Sequence, residues 1–394
     1  MKDKISKIEN ILNQVQTPCY ICEEELLEQN LKHLDYIQKE ADVKILLAIK
    51  AFATSGMMPL VSKYLQGCCA SGLHEAKYGR EFLNKEVHTY NPAFKDDEID
   101  EVCEVSDHIV FNSFNQLERF KNTVLEKNSI GLRINPEISF SPVDIYNPCA
   151  MYSRFGLTKK EFNLGITDEY LELIDGFHFH ALCEQNVEAF EDVLDHFEST
   201  FGHHFKYLKW VNFGGGLNLT QGNFEVESFI KTLKKFKIKY PHLEVYLEPG
   251  EAVAYQTGVL VATVIDIIHN NIDIAILDTS TECHMPDTLA MPYTAYIRDA
   301  RIVQLQDLQT LGSDDNVYRI GGNTCLSGDI MGDYSFAKPL EIGKKIIFED
   351  QMHYTVVKNT TFNGMKLPDL SVLKKDGSYE VFKKFGYEAY RDRN

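Results

Sequence analysis

The chain has 394 residues, 44% of them hydrophobic and 25% charged, an ordinary balance for a globular protein long enough to hold two domains. Its net charge of −18 disfavours nucleic acid and anionic membrane as partners, and suits plain solubility or a cationic small substrate. No run of about twenty uncharged apolar residues is present, and the opening MKDKISKIENILNQVQTP lacks the apolar centre of a signal peptide, so a cytoplasmic location is expected.

In chain order, residues 17–43 read as a short extended piece followed by a helix from about Glu23. KILLAIKAFA (44–53) follows, an apolar run that reads as a strand buried on both faces and closes on Lys50. Seven more strand-like runs come after it: GCCAS (67–71), VHTYNP (87–92), HIVFNS (108–113), SIGLRINP (129–136), GFHFHAL (176–182), YLKWVNFGGG (207–216) and LEVYLEPG (243–250). Helix-like segments lie between most of them, as at 71–83, 113–127 and 186–201, several opening on Ser or Asn as N-cap. Eight alternating units predict an α/β fold, a (β/α)8 barrel. The longer interval 137–175 holds extra structure. Beyond about residue 257 the runs GVLVATVIDII, IDIAILDTS, TAYIRDARIVQL, NVYRIGG, KKIIFED and HYTVV are β-rich. The expected domains are therefore a barrel over 23–257 and a second, mostly β domain from 1–22 and 258–394.

Nine cysteines is an odd number, Cys19 and Cys22 stand at a lone CxxC spacing with no second pair to complete a site, and Cys68 and Cys69 are adjacent. Neither a disulfide framework nor a metal site is expected.

A barrel of this kind carries its site at the C-terminal ends of its strands. Those ends hold Lys50, then His178 and His180, then Gly214, Gly215 and Gly216, then Glu248. Each has an ordinary explanation taken alone. A lysine can snorkel, a histidine can be a bonded core residue, three glycines can make a tight turn, and an acid can form a rim ion pair. Together they match what pyridoxal phosphate needs: an amine for its aldehyde, backbone N–H groups for its phosphate, and an acid that keeps its ring nitrogen protonated.

With these residues in place, the chain resembles the fold type III pyridoxal-phosphate decarboxylases, an alanine-racemase-like barrel with a β-domain. The motifs LLAIKAF, FHFHALCEQN, NFGGGLN, LEPGEAV, GNTCLSGDIMGDY and TTFNGM bring it nearer to the members that act on carboxylated polyamines. The resemblance implies that Lys50 holds the cofactor, His180 stacks on its ring, Gly214–Gly216 bind its phosphate, and Glu248 meets its ring nitrogen. It implies further that Tyr354 bonds the phosphate, Cys325 helps to protonate the substrate carbanion, Asp329 lies in the substrate pocket, and Phe362 lines the wall. The loop of Cys325 serves the partner subunit in this family, which implies a homodimer.

Two departures bear on the substrate. Amino-acid decarboxylases of the family usually carry an arginine after Glu-Pro-Gly, and here the residue is Glu251, which suits an ammonium group in place of a carboxylate. Diaminopimelate decarboxylases place an acid after the cysteine, and here Leu326 stands. In DTSTECHMPDTLAMPY (278–293) Asp287 is the candidate substrate acid, with Asp278 behind it. Two spaced carboxylates suit a long cationic substrate, a carboxylated polyamine. The alternatives are decarboxylation of ornithine, lysine, arginine or diaminopimelate, a racemase, and a non-catalytic cofactor-binding regulator. The retention of both Lys50 and Cys325 argues against the last.

Overall fold

The computed structural model describes residues 6–125, 127–141, 144–304 and 316–394. Residues 1–5 and 305–315, which fall within the expected second domain, and residues 142–143 of the long interval lie outside the described residues. Strand β1 (Cys19–Glu23) leads into a helix over Glu24–Ala41. Eight strands follow: β2 (Lys44–Ala48), β3 (Gly67–Ala70), β4 (Glu86–Tyr90), β5 (His108–Phe111), β6 (Ser129–Arg133), β7 (Gly176–His178), β8 (Trp210–Asn212) and β9 (Glu244–Leu247). They close a barrel in sequence order, and every pairing is parallel.

The flanking helices form for reasons visible in the chain. In Val187–Phe201 the residues Val187, Phe190, Val193, Leu194, Phe197 and Phe201 are buried, a stripe at helical spacing that packs inward. Ser113 caps the helix Phe114–Val124 by accepting from the Gln116 N–H at 3.3 Å. Asn186, expected to cap in the same way, makes no such bond. The extra structure within 137–175 includes two short helices, Lys159–Gly165 and Asp168–Leu173.

The strands are shorter than the apolar runs suggest. β2 ends at Ala48, because the Ala51 N–H turns back to the Ala48 carbonyl at 3.0 Å. Lys50 therefore stands in the turn, and is exposed. β7 ends at His178, two residues before His180. Side chains alternate along a strand, so the barrel interior is built in layers two residues apart. Leu46, Val110, Trp210 and Tyr246 form one layer. Trp210, the only tryptophan, fits because Gly131 and Gly176 leave it room: a side-chain carbon at Gly176 would lie 2.0 Å from its ring. One step further up the same strands stand Arg133, His178, Asn212 and, just past β9, Glu248.

The chain divides into two compact units. One comprises Glu28–Ala51 and Met57–Val253, and the other the residues up to Leu27, Phe52–Gly56 and Ala254–Asn394. The second unit adds β10 (Gly258–Asn270), β11 (Ile272–Leu277), β12 (Ala300–Ile302), β13 (Asn316–Gly321), β14 (Ile330–Phe336), β15 (Lys345–Glu349), β16 (Asp369–Leu373) and β17 (Tyr379–Lys383). Its sheet runs β12-β14-β13-β11-β10-β1-β16-β17, with β15 also on β10. β1 lies between β10, antiparallel, and β16, parallel. Ile8, Ile11, Val15, Cys19, Ile21, Val259, Val261, Ile347 and Leu373 make an apolar core there. Among the described residues no helix is long and apolar enough to cross a membrane.

Candidate active site

The upper barrel layer is a connected set of polar groups. The Asn212 Nδ2 donates to Glu248 Oε1 at 2.7 Å, and Asn212 Oδ1 accepts from the Gly214 N–H at 2.9 Å, so one amide ties the acid to the glycine turn. The Gly215 N–H donates to His180 Nδ1 at 3.1 Å, which fixes that ring nitrogen as an acceptor. Gly214 and Gly216 hold φ of +67° and +91°, and carbons added at Gly214, Gly215 or Gly216 would lie 2.4, 2.2 and 2.0 Å from backbone oxygens. Only glycine satisfies both demands.

Arg133 and Asn212 were not singled out from the sequence. Arg133 closes β6 and is only 5% exposed. It donates to the His180 carbonyl at 3.2 Å, lies 3.5 Å from His178 Nε2, and stacks its guanidinium 4.7 Å from the Tyr90 ring centre. Burial pushes its pKa down, but a guanidinium starts high enough to stay charged.

Glu248 is buried, and its Oε2 lies 3.3 Å from His178 Nε2. Burial works against its charge, but His178, His88 and Asn212 outweigh that and hold the carboxyl well below the usual carboxylate range. His180 moves well down, through burial first and then the positive charges of Lys50 and Arg133, so its imidazole is neutral. The result is an exposed amine, a neutral imidazole, an ionised buried acid and a glycine turn around one barrel end. This end can take a phosphorylated aromatic cation that carries an aldehyde.

The opposite barrel end is a plug. Glu86, His88 and His108 bring ligand-type atoms within 4.8 Å of one another, the two imidazoles stacked with centres 3.8 Å apart. Lys44 already occupies this cluster, donating to Glu86 at 2.8 Å, Tyr246 at 3.2 Å and Glu244 at 3.2 Å. An ammonium stands where a metal would need negative charge. Burial, then His88, depresses His108 to about 2, and Glu86 is held at about 2 by His88 and Lys44 against its burial.

The remaining predicted residues belong to the second unit. Cys325 is exposed on the turn between β13 and β14, and its N–H donates to Asn363 Oδ1 at 2.7 Å. Asp329 is 3% exposed, and both oxygens are committed to backbone and to Thr324: Oδ1 accepts from the Thr281 N–H at 2.8 Å, and Oδ2 from Thr324 Oγ1 at 2.6 Å. A substrate amine reaching Asp329 would share an oxygen with these bonds. Asp287 is buried and paired with Lys358, a partner that a substrate amine would have to displace. Asp278, the acid behind it, accepts from Thr17 Oγ1 at 2.5 Å and the Thr263 N–H at 2.7 Å. Tyr354 holds φ of +50°, with Lys358 Nζ 5.3 Å from its ring centre. Phe362 and Leu326 are 47% and 42% exposed. Glu251, in the barrel unit, opens the short helix Glu251–Ala254 and is half-buried.

The profile of a family described as "Pyridoxal-dependent decarboxylase, C-terminal sheet domain" matches residues 19–351. A carboxynorspermidine/carboxyspermidine decarboxylase of Campylobacter jejuni is 49% identical over 384 residues, covering 97% of this chain and 99% of that protein. A carboxyaminopropylagmatine decarboxylase of Synechocystis is 40% identical over 387 residues, covering 97% and 96%. A crystal structure of the carboxynorspermidine decarboxylase of Campylobacter jejuni with norspermidine superposes with a TM-score of 0.90 at 48% identity, covering 96% of this chain and 100% of that one.

Proposed function

The chain belongs to the pyridoxal-dependent decarboxylases, and from that premise we propose that it converts carboxynorspermidine or carboxyspermidine to norspermidine or spermidine with release of CO2. The observation that carries the substrate is the 49% identity, along nearly the whole length of both chains, to a relative named for it. Glu251 supports it, since an acid after Glu-Pro-Gly attracts an ammonium group.

The residues present fit pyridoxal phosphate. The glycine turn is a concave backbone surface that any Cβ would fill, and Glu248 is a buried acid kept ionised. Lys50 would bond the aldehyde, Gly214–Gly216 and Tyr354 would hold the phosphate, His180 would lie against the ring, and Glu248 would hold a proton on the ring nitrogen. When bound, the cofactor supplies a sink for the electron pair left at Cα as CO2 departs. Cys325 returns a proton to Cα. Glu251 receives a protonated amine of the substrate and Phe362 lines its path. The Asp287 carboxylate takes a second amine only if Lys358 yields it.

The same reading makes the protein a homodimer in which the Cys325 turn of one subunit serves the barrel of the other. Leu326, Ile330 and Phe362 support it, being apolar and exposed around that turn. The 40% relative favours a second substrate, carboxyaminopropylagmatine, whose far end is a guanidinium. The test is kcat/KM for CO2 release on carboxynorspermidine, carboxyspermidine, carboxyaminopropylagmatine, ornithine, lysine, arginine and diaminopimelate. A lead for the first two carries the proposal. A lead for a simple amino acid defeats it. The first two differ by one methylene, worth about 1–3 kcal/mol in a fitted pocket.

A further inference from the structure

We propose that Asn363 is a positioning residue for Cys325, the external tether that sets where the thiol-bearing backbone stands. The inference rests on the reading of Cys325 as the proton donor. Cys325 is exposed within its own subunit, so its own chain builds no packed wall around the side chain. Its direction follows from its backbone. The turn around it is bonded partly within itself, with the Gly322 N–H on the Asp329 carbonyl at 2.8 Å, the Leu326 N–H on Thr324 Oγ1 at 3.3 Å and the Asp329 N–H on the Leu326 carbonyl at 3.0 Å, and its entry is held by the Asn323 N–H on the Thr279 carbonyl at 3.1 Å. Asp329 is the buried staple beneath, gathering Thr324 and Thr281. A side-chain carbon at Gly322 would lie 2.2 Å from its carboxylate, so the turn sits directly on it.

The bond to the Cys325 N–H is different in kind. Its acceptor is a side chain 38 residues further along. Asn363 holds φ of +58°, a conformation asparagine tolerates better than most residues. Its segment is itself held, with the Thr360 N–H on the Cys283 carbonyl at 3.0 Å and the Cys283 thiol on the Phe362 carbonyl at 3.4 Å. A rigid short turn thus presents one amide oxygen to the peptide of the reactive cysteine. Proton return to a carbon needs the donor within a few tenths of an ångström of its place, which a free loop does not provide.

Two variants separate the bond from the backbone. Asn363→Gly keeps the left-handed conformation and removes the acceptor, and Asn363→Asp keeps an acceptor oxygen. Cys325 is the one exposed cysteine of nine, so its alkylation by iodoacetamide, followed by peptide mass, reports the turn directly. In Asn363→Gly the alkylation rate rises threefold or more, and kcat falls about tenfold with KM within twofold. In Asn363→Asp the alkylation rate stays within twofold of wild type, and kcat recovers to within threefold. An Asn363→Gly enzyme with wild-type alkylation and wild-type kcat overturns the proposal. A Cys325→Ser enzyme with wild-type kcat removes the proton-donor reading instead, and the alkylation rate still decides separately whether Asn363 holds the turn.

Discussion

Replacing Glu248 by glutamine removes one charge and almost no volume. In the folded chain the new amide oxygen still accepts from Asn212 Nδ2, now 2.7 Å from Glu248 Oε1. Its NH2 faces His178 Nε2, which must then accept, leaving an N–H on His178 Nδ1. That nitrogen is buried and without a hydrogen-bond partner among the described residues. The folding cost is that of one orphaned donor, about 1–3 kcal/mol. The cost to the reaction is larger. In the proposed function Glu248 is the anion that would keep a cation on the cofactor ring, and breaking a buried ion pair costs about 3–5 kcal/mol. At about 1.4 kcal/mol per decade this is a fall in kcat of roughly 150- to 5,000-fold. The assay is CO2 release at saturating substrate and cofactor near pH 7.5, with cofactor occupancy read from absorbance. The carboxyl is held below the ordinary range, so in the wild type no acid limb of kcat above about pH 5 arises from it. A cofactor-loaded Glu248→Gln enzyme within fivefold of wild-type kcat would refute the reasoning.

Lys50→Ala should purify colourless and lose at least about a thousandfold in kcat, since no other lysine lies within two residues after a barrel strand; a yellow, active variant would sink the assignment. Arg133→Met removes the donor to the His180 carbonyl and the cation on Tyr90, and should weaken cofactor binding about tenfold in an absorbance titration, with Arg133→Lys recovering only part because an ammonium cannot stack as a plane. His108 titrates near 2 in the fold against an ordinary 6.5. Below pH 6.5 the unfolded chain takes up a proton that the fold refuses, so stability is lost as pH falls. Between pH 7 and pH 5 this amounts to about 2 kcal/mol. Urea unfolding of His108→Phe, which keeps a ring on His88, should lose that much less over the same interval, and an unchanged loss would show that His108 is not the group.

The barrel was legible because its strands are buried on both faces, and such strands stand out as apolar runs between helices of regular spacing. Lys50, His180 and Glu248 were legible for the same reason: a polar group closing an apolar run is conspicuous. Arg133 closes SIGLR in just that manner, and the same criterion applied to every strand finds it. Asn212 carries no comparable signal, because an asparagine before glycines reads as turn chemistry. The strands came out short because a hydrophobic run records burial, and burial continues past the last ladder bond into the turns. The acids of the second unit were the hardest. Asp287 and Lys358 are 71 residues apart, and Asp329 spends its oxygens on Thr281, 48 residues earlier. A lone carboxylate in a sequence does not announce whether its partner is a ligand or a distant backbone amide.

The place of β1 has a consequence for biosynthesis. This strand leaves the ribosome ahead of the whole barrel, yet its neighbours β10 and β16 begin at Gly258 and Asp369. At about 5–20 residues per second, β10 follows β1 by roughly 12–48 s and β16 by roughly 18–70 s. Until β10 is made, the barrel strands, all encoded in between, can close on one another, while the five-residue strand CYICE, wholly buried at the end, waits with both edges unpaired, and one edge stays open until β16. The nascent chain therefore carries an open apolar edge while the whole barrel is made and covers it late. A stop codon between the barrel's last strand and β16 would leave all eight barrel strands attached to a β1 with an open edge.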